Sequence, residues 1–492
     1  MTQLGEKIAI IPPPPKEKKP DEEKKKPISL RMSLFFDGTM NNRINIEARE
    51  KDKEAFKKYG KKGSSYDNGR TNVAIMEGHV EETAKGYEFF NCEYIEGIGT
   101  FNEKKDSKYV GGGMGGGSSG VVDRAELGVD KVFQWVLNSG NVDKSEHEIT
   151  KLTIDVFGFS RGSAAARYAI FLLLKHRNRA IQQRLENFGY IFAESSVEVG
   201  FAGLYDTVLS YYLSQWSKKT NNRLEQKSAR LANKVIHLAA ADEHRKNFPL
   251  HNIKAAKSKG GEEYFLPGVH SDVGGSYNQA DEEKIRKAEE ELAEKKHLEA
   301  KDKKKMGDLV MVCDSEGETL VNQDSTWAHD IPEKIRADKQ YLIDQGWFKE
   351  VDNTGRENPE NQIWVELDID EFDELDTEAY LYIRRKKIKT GYSNIPLKVM
   401  ADFARGNEGK LSINTKLEDR ADLVIEQSGL KKLEALIKDY IGSTSHSKPD
   451  DWLNNEMITK YRNEHFHFSA TSGAANGPRI KKGKRKRFIY DA

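Results

Sequence analysis

Cysteine is almost absent: Cys92 and Cys313 are the only two among 492 residues. One pair cannot build a disulfide framework, so a small stapled scaffold is excluded and folding in a reducing cytosol fits. No run of 18 apolar residues occurs, so no segment is expected to span a membrane. Charge of one sign is not in excess either. Lys+Arg and Asp+Glu each number 79, so the formal net charge is zero and a global basic field for nucleic acid is missing. The only apolar run near the start is Ile8-Ala9-Ile10-Ile11, shorter than the core of a signal peptide. A protein of this kind that acts outside its producer is expected to leave by a route that ignores such signals. No zinc or calcium spacing of His, Cys and acidic residues is present, so no metal and no other cofactor is expected.

The length exceeds one ordinary domain and falls short of three, which predicts one large core with an insertion or a partner domain. Residues 1–28 are rich in Pro, Lys and Glu; Pro12 to Pro15 force an extended stretch, and this segment is expected to be a disordered tail or tether. Apolar runs at 30–36, 94–100, 152–157, 197–203, 234–240 and 264–267 read as strands. Helical patterns lie between them, notably over 121–138 and 163–174. Strands alternating with helices predict an α/β fold with a mostly parallel sheet and helices on both faces. The expected organisation is a core over 29–280, an insertion or cap over 281–390 that begins with a charged helix at 281–306, and C-terminal helices over 391–492 completing the core. The Gly-rich run 111–120 cannot hold regular structure and is a candidate lid element. The basic tail Lys481–Arg487 is expected to meet anionic lipid or a partner, or to have no role of its own.

The central motif is Gly158-Phe159-Ser160-Arg161-Gly162, set between an apolar strand and an Ala-rich helix. A serine nucleophile on a sharp strand-to-helix turn needs Gly158 and Gly162 because larger side chains clash there. The competing reading is a Gly-Ser turn that merely caps a helix. A nucleophilic serine needs a base, and the base an orienting acid, in the order Ser, acid, His. Of twelve histidines, His270 lies in a loop just after a strand, where catalytic groups gather. His237 reads as a core residue, His176 as a helix-end cation, and His465 and His467 as neighbours on one strand. Asp206 follows the strand at 197–203 and is the candidate acid; Asp242 and Asp272 compete, Asp242 as an ion-pair or cap residue and Asp272 as a holder of its own loop. The N–H groups of Arg161 and of Gly38 or Thr39 are the candidate oxyanion hole.

Four segments together resemble one family. They are Phe36-Asp37-Gly38-Thr39-Met40-Asn41-Asn42, Gly158-Phe159-Ser160-Arg161-Gly162-Ser163-Ala164, Gly203-Leu204-Tyr205-Asp206-Thr207-Val208 and His270-Ser271-Asp272-Val273-Gly274-Gly275. Smaller likenesses fall at Ala241-Asp242-Glu243-His244-Arg245, Gln345-Gly346-Trp347-Phe348 and Tyr392-Ser393-Asn394-Ile395-Pro396-Leu397. In order and spacing the set is similar to the type VI secretion lipase effectors of the Tle1-like class, over about residues 30–475. The resemblance implies an α/β-hydrolase fold and an antibacterial phospholipase with Ser160, Asp206 and His270 as its triad. It also implies a secretion-apparatus carrier (spike, tube or adaptor), a cognate immunity protein, and action at the phospholipid membrane of the target cell, with no nucleic-acid partner. Ser163 stands where the family often has Ala, and the segments 281–390 and 1–28 have no firm counterpart to name in it. The rival from another class is a catalytically inactive hydrolase fold serving as an adaptor, against which the intact Ser, Asp and His speak.

Overall fold

Strand β1 (Lys26–Phe36) shows why the central sheet forms. Leu30, Met32, Leu34 and Phe36 point to one buried layer, while Phe35 points to the other. Burial on both faces is the signature of a parallel strand covered by helices. The computed structural model describes residues 25–107, 119–176, 180–194, 196–209, 224–277, 312–313, 318–326, 331–350, 361–369, 377–385, 388–389, 391–406, 410–444, 447–471, 477–481 and 484–492. The Gly-rich stretch 108–118, the charged segment 281–306 and residues 1–24 lie outside them. The first strand takes in residues 26–28, which the sequence assigned to the tail, because Ile28 is buried in the sheet.

Beside β1 stand β2 (Phe89–Ile95), β3 (His147–Phe159), the two-residue β4 (Ile191–Phe192), β5 (Val197–Tyr205), β6 (Ala232–Ala240) and β8 (Glu262–Leu266). They form one seven-stranded sheet in the order β2-β1-β3-β5-β6-β8, with β4 on β3. Every pairing is parallel. The second strand lies earlier than the expected 94–100. Its register sets Phe89–Ile95 level with Leu30–Phe36, and the chain turns at Gly97, where the Thr100 N–H meets the Gly97 carbonyl at 3.1 Å.

Short helices α1 (Arg43–Glu50), α2 (Glu54–Tyr59) and α3 (Asn72–Glu77) fill the β1–β2 connection. Helix α4 (Val121–Asn138) buries Val121, Ala125, Val129, Val132 and Val136, a one-face spacing. It packs with α5 (Arg161–Leu174) in one apolar layer. Two further short helices, α6 (Ile181–Glu186) and α7 (Lys254–Lys257), and the two-residue strand β7 (Leu250–His251) complete this half.

The other layer holds Phe157, Phe201, Ile236 and Leu238, together with residues from the last third of the chain. Of these, α10 (Asn394–Arg405) lies against α3 and the sheet, followed by α11 (Lys416–Gln427), α12 (Lys431–Ser443) and α13 (Glu456–His465). Between the halves, β10 (Glu318–Thr326), β11 (Lys349–Glu350), β12 (Asn361–Ile369) and β13 (Thr377–Arg385) supply a second sheet of order β10-β13-β12-β11, and the short β9 (Val312–Cys313) stands outside it. Helix α9 (Glu333–Asp344) packs on it; α8 (His270–Gly274) belongs to the first half. Trp347 is fully buried, and Trp364 stacks on Tyr382.

His465 and His467 do not flank a strand. The Asn455 side chain accepts from the N–H groups of Met457 and Ile458, starting α13, which ends at His465. The basic tail is divided: Lys484 and Lys486 are exposed, whereas the side chains of Arg485 and Arg487 are buried. It forms a hairpin of β15 (Ile480–Lys481) and β16 (Lys484–Arg485), and β17 (Ile489–Tyr490) then pairs with β7; β14 (Ile388–Lys389) pairs with β9. Arg485 is buried in a two-pronged ion pair with Asp338, 2.9 Å on each side. Arg487 is buried against Asp206. A buried charge persists only when paired, and both partners are carboxylates of the fold.

Candidate active site

The strand order reverses direction between β1 and β3, and ligand crevices of open parallel sheets form at such a switch, beyond the carboxyl ends of the strands. Ser160, Asp206 and His270 each follow the carboxyl end of a strand, β3, β5 and β8. Ser160 joins β3 to α5 with φ 58° and ψ −124°, a left-handed backbone that a non-glycine residue adopts only under constraint. The constraint is visible. The Ser160 N–H donates to the Tyr205 carbonyl at 3.0 Å, and the Ser163 hydroxyl donates to the carbonyls of Gly158 (2.6 Å) and Tyr205 (3.0 Å). A Cβ on Gly158 would meet the Ser163 Cα at 2.6 Å, and one on Gly162 the Asp37 carbonyl oxygen at 2.3 Å. Both glycines are therefore demanded by close backbone approach. This turn is the N-terminus of α5, the end at which a helix's partial positive charge collects.

Asp206 follows β5 and is wholly buried. Its N–H bonds the Leu238 carbonyl (2.8 Å), and its Oδ1 accepts from the Ala240 N–H (2.8 Å). The next residue, Thr207, is tied to His237 of β6 and to Arg167 of α5, whose Nη2 donates to the Thr207 hydroxyl at 3.0 Å. So β6 and α5 fix the turn. His270 begins α8, and its Nδ1 lies 2.5 Å from Asp206 Oδ2. A carboxylate only accepts, so Nδ1 carries the proton and Nε2 is left as the acceptor. The ring packs on Phe159, the residue before Ser160, with centroids 4.6 Å apart, and against Phe248 at 5.2 Å.

Burial alone raises the pKa of Asp206, but the Arg487 charge and the His270 bond outweigh it and hold the carboxyl well below its usual range. Burial lowers the pKa of His270, and Asp206 only partly restores it. The imidazole is therefore neutral at neutral pH.

The competing carboxylates have other work. Asp242 pairs with Arg462 at 3.1 Å and accepts from the Gly268 N–H at 2.8 Å. Asp272 accepts from the Val269 N–H (2.9 Å) and pairs with His467 (2.7 Å). Glu243, singled out by the sequence only as part of a segment, lies 3.3 Å from the His270 N–H and is forked by Arg245. Burial raises its pKa, yet Arg245 and its neighbours bring it down to about 2.

On the opposite side Asp37 is buried, accepting from Tyr94 (2.5 Å), Thr71 (2.7 Å) and the Gly38 N–H (2.7 Å). That last bond removes Gly38 from the candidate oxyanion donors: its N–H is already given to the carboxylate beside it. Thr39 and Arg161 remain. Burial lifts Asp37 to about 6 despite these donors. Among the described residues no three His, Cys, Asp or Glu side chains gather as a metal site.

Residues 174–295 match the family model described as type VI secretion phospholipase effector Tle1-like, catalytic domain. Over that quarter of its length the chain is similar to this catalytic domain. The matched stretch contains Asp206 and His270, and Ser160 precedes it. The fold is also similar to that of the Tle1 effector in its structure bound to the VgrG spike of the type VI secretion system, with TM-score 0.58 and 19% identity over 95% of each chain. The likeness is one of fold: a parallel sheet with helices on both faces, of the α/β-hydrolase type. An uncharacterized protein from Pseudomonas aeruginosa is similar over 51% of this chain and 42% of its own, at 21% identity and TM-score 0.31. No curated protein sequence matches this chain.

The sequence reading named Arg487 only as the end of a basic tail and Ser163 only as a departure from the family, and gave neither a part in the site. Arg487 sat in a run of lysines and arginines; the apolar Phe488-Ile489-Tyr490 after it was the one sign of a buried segment.

Proposed function

We propose that this protein is a serine esterase that hydrolyses acyl esters of membrane phospholipids and serves as an antibacterial effector of a type VI secretion system. The reading is carried by one observation: the 2.5 Å Asp206–His270 hydrogen bond beside a positive-φ serine at a strand-to-helix elbow. In the proposed reaction Ser160 Oγ attacks the ester carbonyl carbon while His270 Nε2 takes the hydroxyl proton. The N–H groups of Arg161 and Thr39 hold the tetrahedral oxyanion. The C–O bond to the alcohol breaks, and His270 returns the proton to the leaving lysophospholipid. Water then attacks the acyl-enzyme, His270 takes its proton, and fatty acid leaves as Ser160 regains its hydrogen. Side chains and backbone suffice for each step.

In this reading residues 29–280 and 391–492 make the hydrolase core, with 281–390 as an insertion or cap. The Tle1 relative was solved on its VgrG spike; a corresponding spike, tube or adaptor carrier, and a cognate immunity protein, are the partners proposed for this chain. The site of action is the membrane of the target cell, reached from its periplasm. The test is incubation of purified protein with defined phospholipids, with product identification, beside Ser160→Ala. Loss of a triad nucleophile costs about 10⁶-fold in rate, and near-normal hydrolysis by the variant would overturn the proposal. Expression with an added export signal should be toxic, and expression in the cytosol much less so; toxicity that survives Ser160→Ala would count against the effector reading.

A further inference from the structure

We propose that Arg487 is a positioning residue of this site: from the C-terminal segment it grips both oxygens of Asp206 and so sets the carboxylate that orients His270. The inference rests on the Ser160–Asp206–His270 reading and goes beyond it. The geometry is a two-pronged fork, Nη1 to Oδ1 at 2.5 Å and Nη2 to Oδ2 at 2.8 Å. The same guanidinium donates Nη1 to the Ala240 carbonyl (3.1 Å) and Nε to the Phe248 carbonyl (2.9 Å). Its side chain is 2% exposed and that of Asp206 0%. Planar, buried and bonded at three of its nitrogens, the group has no freedom to act as a mere counter-charge. It bonds Asp206 directly and meets His270 only through Phe248, whose carbonyl it holds and whose ring stands edge-on to the imidazole. The segment carrying it is anchored on each side, by Arg485 on Asp338 and by β17 on β7.

The charges around the dyad decide what its loss would do. His270 faces Asp206, Glu243 and Arg245, while Asp206 also faces Arg487 and, across β6, His237. Arg487 acts on Glu243 and His251 as well. Without the guanidinium, buried Asp206 must take its counter-charge from His270. The imidazole then holds its proton to higher pH, and the carboxylate loses the fork that fixed its plane. Two effects follow. The acid limb of kcat/KM moves to higher pH, and kcat falls with KM for the lipid little changed.

The experiment compares wild type, Arg487→Gln, Arg487→Lys and Arg487→Ala for kcat, KM and pH profile on a soluble short-chain ester, with melting temperature recorded and Ser160→Ala as control. Arg487→Gln should lose on the order of 10²-fold in kcat, the scale of a small misplacement of a catalytic group. Its acid limb should shift upward. Arg487→Lys, which keeps the charge without the fork, should lose rate with a smaller shift, and free guanidinium should restore part of the activity of Arg487→Ala. Wild-type kcat and profile in the Gln and Lys variants, with Ser160→Ala inactive, would overturn the proposal and leave the triad reading standing. So would a loss that follows melting temperature alone, with neither limb shift nor guanidinium rescue. Activity in Ser160→Ala would instead overturn the triad reading.

Discussion

At the scale of single residues, the proposed chemistry depends on which proton sits where. Asp206 stays ionised because Arg487 and the His270 bond overcome the burial that would neutralise it. His270 is pushed below the 6.5 of an ordinary imidazole, mainly by burial. A general base works only when neutral, so the acid limb of kcat/KM should have its midpoint below 6.5, with full activity at neutral pH. A pH–rate profile on a soluble ester measures this, and a midpoint above 7 would contradict the burial of the ring. Asp206→Asn keeps the shape of the site but presents an amide to Nδ1, favouring the wrong tautomer. Its expected cost is about 10⁴-fold in kcat. A variant within tenfold of wild type would remove Asp206 from its proposed role.

At the scale of elements, the elbow works because β3, α5 and the end of β1 approach more closely than side chains allow. Gly162 is the tightest point, with the carbonyl oxygens of Phe36 and Asp37 at 2.4 and 2.3 Å from where a Cβ would stand. Both are backbone atoms of a central strand end and cannot swing aside. Gly162→Ala should therefore push α5 away from β1, costing about 3 kcal/mol as overpacking does, and lower activity even where the protein folds. A denaturant midpoint equal to wild type would show that the strand end yields more easily than its pairing with β3 implies. Ser163→Ala tests a milder version, since its hydroxyl ties the Gly158 and Tyr205 carbonyls across the turn; a loss of about 1 kcal/mol is expected.

At the scale of the whole molecule, buried histidines set the response to acid. Burial lowers His244 to about 4, His251 to about 3 and His465 to about 4, and it also lowers His237 and His270. In each the folded value lies below the unfolded 6.5, so between those values the unfolded chain binds more protons. Stability then falls as pH drops from 6.5 towards 4, by about 1.4 kcal/mol per pH unit for each full proton of difference. Asp37, raised by burial to about 6, works the other way, gaining stability as pH falls through 6; burial also raises Glu77, Asp155, Asp272 and Asp402, which offset part of the histidines' loss at lower pH. Glu243, brought to about 2, withholds its stabilisation only below the unfolded 4.5. Calorimetry should find a lower melting temperature at pH 5 than at pH 7.5. An unchanged or higher value at pH 5 would mean that these rings are not buried as a set.

Local pattern alone determined a good deal of this protein. The period of apolar residues marked β1, β3, β5, β6 and β8 and the whole of α4, because burial on one or both faces writes itself into adjacent positions. Gly158 and Gly162 were legible because a turn this tight admits no Cβ. What local pattern left open was decided by groups distant along the chain. Asp206, Asp242 and Asp272 each follow a strand and look alike in sequence; only packing shows that Arg462 takes the second, His467 the third, and His270 with Arg487 the first. Gly38 was plausible as a donor until its N–H was found on its own neighbour's carboxylate. Arg485 and Arg487 sit in a run whose composition resembles a solvated tail. Their burial follows from carboxylates 147 and 281 positions away, a pairing that no local feature of the run encodes.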